Sequence, residues 1–132
     1  MAADSKNSSR GAGAKDAGTP DPKFVHLHVH SSYSLLEGAL TIAKLAELAK
    51  ADHQPALALT DTDNMFGALE FSDKIAGYGI QPIIGWSVAI DFADQGDGLR
   101  QIGGPARQLP RMVLLAMNEA GYGNLMRLSA AA

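Results

Sequence analysis

From residue 24 to residue 129 the chain alternates short apolar runs of strand length with amphipathic stretches of helix length, and this order restricts its fold more than any other feature. FVHLHVH (24–30) alternates at period two, the pattern of a strand with two different faces. Phe24, His26, His28 and His30 share one face, while Val25, Leu27 and Val29 share the other, which suits packing under helices. A helix is predicted over 41–51, with Thr41 as its N-cap and Ile42, Leu45, Ala46 and Ala49 on one stripe. Pro55 then ends it, and PALALT reads as a second strand. A second helix over about 65–77 carries Met65, Ala68, Leu69, Ile75 and Ala76 at helical spacing and stops at Gly77 and Gly79. A third strand follows over roughly 80–92, RMVLLAM resumes a strand, and a last helix over 119–129 starts behind Asn118. Strands alternating with helices of this length argue for β-α-β units, a parallel sheet and an α/β fold.

The flanks differ in texture. Residues 1–23 hold no apolar side chain larger than alanine apart from Met1, bury too little to offset their ordering entropy, and are expected to be a disordered tail. Residues 93–110, with four Gly and two Pro, read as a long loop. The last helix shows no stop signal while Leu125, Met126 and Leu128 still present an apolar stripe, so the chain is expected to be a truncated piece. Residues 24–132 would then form one incomplete domain.

Composition excludes several classes of function. With no cysteine, disulfide frameworks, thiolate zinc sites and cysteine nucleophiles are absent. A net charge of −3 announces no global grip on nucleic acid or on an anionic membrane. No apolar run approaches the ~18 residues of a membrane span and no hydrophobic signal segment opens the chain, so a cytoplasmic protein without membrane contact is expected.

Of the four histidines, three fall within five residues. Placing His26, His28 and His30 at i, i+2 and i+4 of a strand sends their rings to one side, and imidazole is the commonest ligand for zinc and related ions. In α/β folds ligands gather at the carboxyl ends of strands. His30 ends the first strand, Asp61, Thr62 and Asp63 end the second, and Glu37 follows close behind the first. Each has a second reading: histidines on a strand that only bond one another, and acids that cap a helix or brace a loop. Gly77-x-Gly79 and Gly121-x-Gly123 lack the third glycine of a phosphate-cradling loop, and turn and capping duties account for Ser31, Tyr33 and Ser34.

Three blocks, FVHLHVHSSYSLLEGA, ALTDTDNMFGALEFSDKIAGYGIQPIIGW and RMVLLAMNEAGYGNLMRLSA, resemble the N-terminal PHP (polymerase and histidinol phosphatase) domain of bacterial DNA polymerase III alpha subunits. The resemblance spans nearly all of 24–132 and implies the first half of a distorted β/α barrel. In PHP domains that bind metal, H-x-H on the first strand, an acid in L-L-D-G, a histidine in T-D-H-G-N and a glutamate in the third strand contribute to a three-metal phosphoesterase cluster. Here His28 and His30 match the first pair, and Glu37 stands at the acid position. Thr62 replaces the later histidine, Asp63 the adjoining glycine, and Ser87 the glutamate. A shell with two ligands missing loses affinity, since water must complete it.

The resemblance therefore implies a scaffold that docks the proofreading exonuclease among the other holoenzyme subunits. No metal is expected to bind tightly, and any zinc or manganese at His28, His30 and Glu37 would be a remnant, with His26, Asp61, Thr62, Asp63 and Ser87 lining the same pocket. Synthesis, its Mg²⁺ and its DNA contacts belong to downstream domains, so no catalytic residue is expected in this chain. The alternatives are a PHP phosphoesterase or 3′-5′ exonuclease with a reduced metal site, and a stand-alone binding module.

Overall fold

The computed structural model describes residues 24–91 and 109–132. The tail expected over 1–23 lies outside the described residues, as does almost all of the loop expected over 93–110. The described elements are α1 (Ile42–Ala51), β1 (Ala56–Leu59), α2 (Ala68–Gly77), β2 (Gln81–Ala89), β3 (Arg111–Leu115) and α3 (Glu119–Ala131). β1 pairs with β2 in parallel, as the alternation predicts, with Ala56 opposite Gln81 and Leu59 opposite Ile84. β3 departs from an all-parallel sheet: it runs antiparallel to β2, with Ala89 opposite Arg111 and Gly85 opposite Leu115. A parallel pair needs a crossover, usually helical, and no helix-like pattern separates these two strands in sequence.

Local chemistry sets the helix starts. The Thr41 hydroxyl accepts a hydrogen bond from the Lys44 N–H at 3.3 Å, filling one of the orphan donors of the first turn. Asn118 does the same for α3, accepting from the Gly121 N–H at 2.9 Å. Thr41→Ala is expected to cost about 1 kcal/mol, read as a lower denaturant midpoint at unchanged slope. α2 begins three residues later than its apolar spacing predicts. Asn64 accounts for the difference: its side chain accepts from the Phe66 N–H at 3.2 Å and donates to the Tyr33 carbonyl at 3.0 Å, holding 64–67 in a turn.

The core lies between this pair of helices and the sheet. Ile42, Leu45, Ala46 and Ala49 of α1 meet Phe71 and Ile75 of α2, Leu57 and Leu59 of β1, and Ile80. Each large side chain buried there contributes about 1.5–3 kcal/mol. β1 is buried over its last three residues, as a strand covered on both faces should be.

Residues 24–30 do not form the regular strand that their alternation predicts. They lie beside β1, where the Ala58 N–H donates to the His26 carbonyl at 2.9 Å and the Thr60 N–H to the Val29 carbonyl at 2.8 Å. Two residues along β1 therefore match three along its neighbour. The surplus residue acts as a bulge does, and the chain bends at His28. The two faces consequently fail to separate: Val29 packs against the core, but Leu27 is 48% exposed.

Candidate functional site

The loop leaving residue 30 is built on one buried acid. Asp61, just past β1, is 2% exposed. Its carboxylate accepts from the Ser31 N–H at 2.6 Å, the Ser31 hydroxyl at 2.7 Å and the Ser34 hydroxyl at 2.7 Å. Ser31 and Ser34 are themselves fully buried. Of the two duties open to Asp61 in sequence, loop bracing is the one its contacts perform, and it stands below the pocket rather than in its wall. The Ser34 oxygen also accepts from the Thr62 N–H at 2.9 Å, so one hydroxyl links the two loops.

Above this brace lies a pocket of about 410 Å³, lined by His28, His30, Glu37, Thr62, Ser87, Arg111 and Val113. The His28 and His30 rings sit with centroids 4.8 Å apart and tilted by 59°. His30 Nδ1 lies 3.2 Å from the Ser34 hydroxyl, 3.3 Å from the Thr62 hydroxyl and 3.8 Å from Glu37 Oε2. The Thr62 hydroxyl donates to the same Glu37 oxygen. Ser87 reaches the wall because Thr62 forms a parallel bridge with it, an extension of the β1–β2 pairing beyond the named strand.

His26 and Asp63 do not line this pocket. His26 is turned against Phe24, edge to face at 4.7 Å, because the bend at His28 breaks the row of imidazoles. Asp63 faces Arg111, whose terminal nitrogen donates to Asp63 Oδ1 at 2.6 Å. The same nitrogen donates to the Ser87 carbonyl at 3.3 Å, and Arg111 Nε to the Ser87 hydroxyl at 3.4 Å.

Sequence reasoning misses Arg111. Its one signal is a charge opening the apolar run RMVLLAM, and only the antiparallel register brings it beside Ser87. Tyr33, on the outer side of the same loop, donates to Glu70 of α2 at 3.2 Å. That hydrogen bond, with the carboxylate's charge behind it, holds the Tyr33 phenol above its ordinary pKa.

The residues present do not fit a multi-metal centre. Among the described residues no group of three His, Cys, Asp or Glu side chains is arranged to hold a metal ion. One nitrogen of His30 is engaged by hydroxyls, Glu37 accepts from Thr62, and a guanidinium stands in the wall where further donors would be needed.

DNA polymerase III subunit alpha of Treponema pallidum is 47% identical over 109 residues, covering 83% of this chain and 9% of that protein. The subunit of the same name from Caulobacter vibrioides is 45% identical over 112 residues, again covering 83% and 9%. The chain thus spans about 9% of the length of these curated relatives. An amidohydrolase from Chromobacterium violaceum, solved with bound sulfate and no metal, superposes with a TM-score of 0.54 at 27% identity, covering 78% of this chain and 32% of that one. The pattern of the PHP domain matches residues 26–132, from the first histidine of the row to the last residue, and the chain belongs to the PHP domain family.

Proposed function

We propose that this chain is the opening part of a replicative DNA polymerase III alpha subunit, and that its PHP domain is a non-hydrolytic scaffold on which the proofreading exonuclease docks. The intact protein would add dNTPs to a primer under template direction in the cytoplasm, with Mg²⁺ held by carboxylates of a later domain and DNA contacted there. Among the described residues no helix is long and apolar enough to cross a membrane.

One observation carries the scaffold reading: the pocket that gathers His28, His30 and Glu37 also contains the Arg111 guanidinium, fixed by Ser87 and Asp63. A metal-activated water needs an open coordination position on a firmly held cation. A guanidinium already bonded to Asp63 and Ser87 occupies the oxygens that a cation would need beside the three remaining donors.

The full-length protein is expected to contain less than stoichiometric Zn, Mn and Fe by elemental analysis. It should leave phosphomonoesters and DNA 3′ ends uncut above background, and form a complex with the exonuclease subunit on size-exclusion chromatography. The presence of His28, His30 and Glu37 in one pocket favours a second reading, a phosphoesterase or 3′-5′ exonuclease with a reduced metal site. Stoichiometric metal together with ester cleavage that disappears in His28→Ala would establish that reading in place of the first. Absence of template-directed synthesis by the full-length protein would favour a binding module.

A further inference from the structure

We infer that Arg111 stands in for the divalent cation of this pocket: its guanidinium is a built-in positive charge that ties the loop after β1 to β2 and β3, and its presence keeps a metal out. The inference deepens the scaffold reading and rests on the same pocket.

Two departures from the PHP pattern meet at this one side chain, and a third lines the same pocket. Ser87 stands where the pattern places a glutamate, and both its hydroxyl and its carbonyl accept from Arg111, at 3.4 and 3.3 Å. Asp63 stands where the pattern places a glycine, and its carboxylate takes the shortest of the Arg111 bonds, at 2.6 Å. The backbone explains the glycine: Asp63 has φ +57°, in the left-handed region that a residue with a Cβ enters at a cost. A side chain that strains its own backbone is consistent with a compensating contact, and the charge-assisted bond to Arg111 supplies one. Thr62 stands where the pattern places a histidine, and its hydroxyl serves His30 and Glu37, which leaves those groups satisfied without a metal.

Geometry gives the guanidinium reach that an ion would otherwise provide. Asp63 belongs to the loop after β1, Ser87 to β2 and Arg111 to β3, so one planar fork joins three consecutive parts of the sheet. The Asp63 N–H also donates to the Ser87 carbonyl at 3.1 Å, which makes that oxygen a shared acceptor at the centre of the joint. A divalent cation entering the same pocket would have to displace the guanidinium before it could use the oxygens of Asp63 and Ser87.

Hydrogen exchange on the full-length protein, read by mass spectrometry over 61–64, 85–89 and 111–115, tests this. Wild-type protection is expected to be the same with EDTA, with added Zn²⁺ or with neither. Arg111→Met should exchange about tenfold faster in all three segments, the loss of about one net charge-assisted bond. Arg111→Met combined with Ser87→Glu should recover protection on addition of Zn²⁺ alone and take up the ion by elemental analysis. Arg111→Lys, which keeps the charge without the fork, should lie between wild type and Arg111→Met with an unchanged circular dichroism spectrum. Protection in the wild type that falls in EDTA overturns the inference, as does an Arg111→Met or Arg111→Lys protein that exchanges at the wild-type rate. A failure of exonuclease docking with EDTA-insensitive protection overturns the scaffold reading alone.

Discussion

Asp61→Ala is expected to destabilise the protein by about 3–5 kcal/mol. Three donors converge on this carboxylate, the Ser31 N–H, the Ser31 hydroxyl and the Ser34 hydroxyl, and both serines are buried with it. Hydrogen bonds to a charged group contribute about 1.5–3 kcal/mol each, but bonds sharing one acceptor do not sum. The larger part of the cost lies in what remains behind: buried donors with neither a partner nor water. Against a usual total of about 5–15 kcal/mol, the loss takes a large share of the stability. The expected observation is a much lower urea midpoint at an unchanged slope. Asp61→Asn should fall between the two, since its amide keeps one acceptor and turns a donor toward the other hydroxyls. A shift below about 1 kcal/mol for Asp61→Ala would mean that the loop stands without its brace.

Gly38→Ala is expected to cost about 3 kcal/mol or more, although it adds a single methyl group. An added Cβ would lie 2.0 Å from the Ser31 carbonyl oxygen, 2.6 Å from its carbon and 3.1 Å from the His30 carbonyl carbon. All three are backbone atoms, so no rotamer change relieves the overlap. The backbone cannot yield freely either. The Ser31 carbonyl accepts from the Ser34 N–H at 3.0 Å, its N–H is held by Asp61, and Gly38 itself donates to the Ser34 carbonyl at 2.9 Å. The loop 31–38 must therefore open, carrying Glu37 away from Thr62. Thermal unfolding should show a depressed midpoint, and faster exchange should be confined at first to 31–38 and 61–62. A variant as stable as the wild type would show that this loop is not closed as described.

The strand–helix–strand order was legible because it rests on apolar spacing, which local propensity and burial enforce together. Thr41 and Asn118 were legible as caps for the same reason: the signal and its physical cause lie within three residues of each other. What the sequence hid depends on pairing. FVHLHVH has the alternation of a strand, yet a one-residue mismatch against β1 turns His26 away from His28 and His30, and no local pattern reports a mismatch with a distant neighbour. Asp61 and Asp63 look alike in TDTD. One proves buried and consumed by serines, the other exposed and paired with an arginine 48 positions away. Arg111 was invisible as a site residue because its role exists only in the antiparallel register of β2 and β3. The resemblance to PHP domains identified Thr62 and Ser87 as places where donors are missing; what faces them instead required coordinates.

The Asp61 carboxylate bonds to Ser31 and Ser34, neither of which lines the cleft, so a substitution in the cleft wall removes none of the three donors that this acid holds.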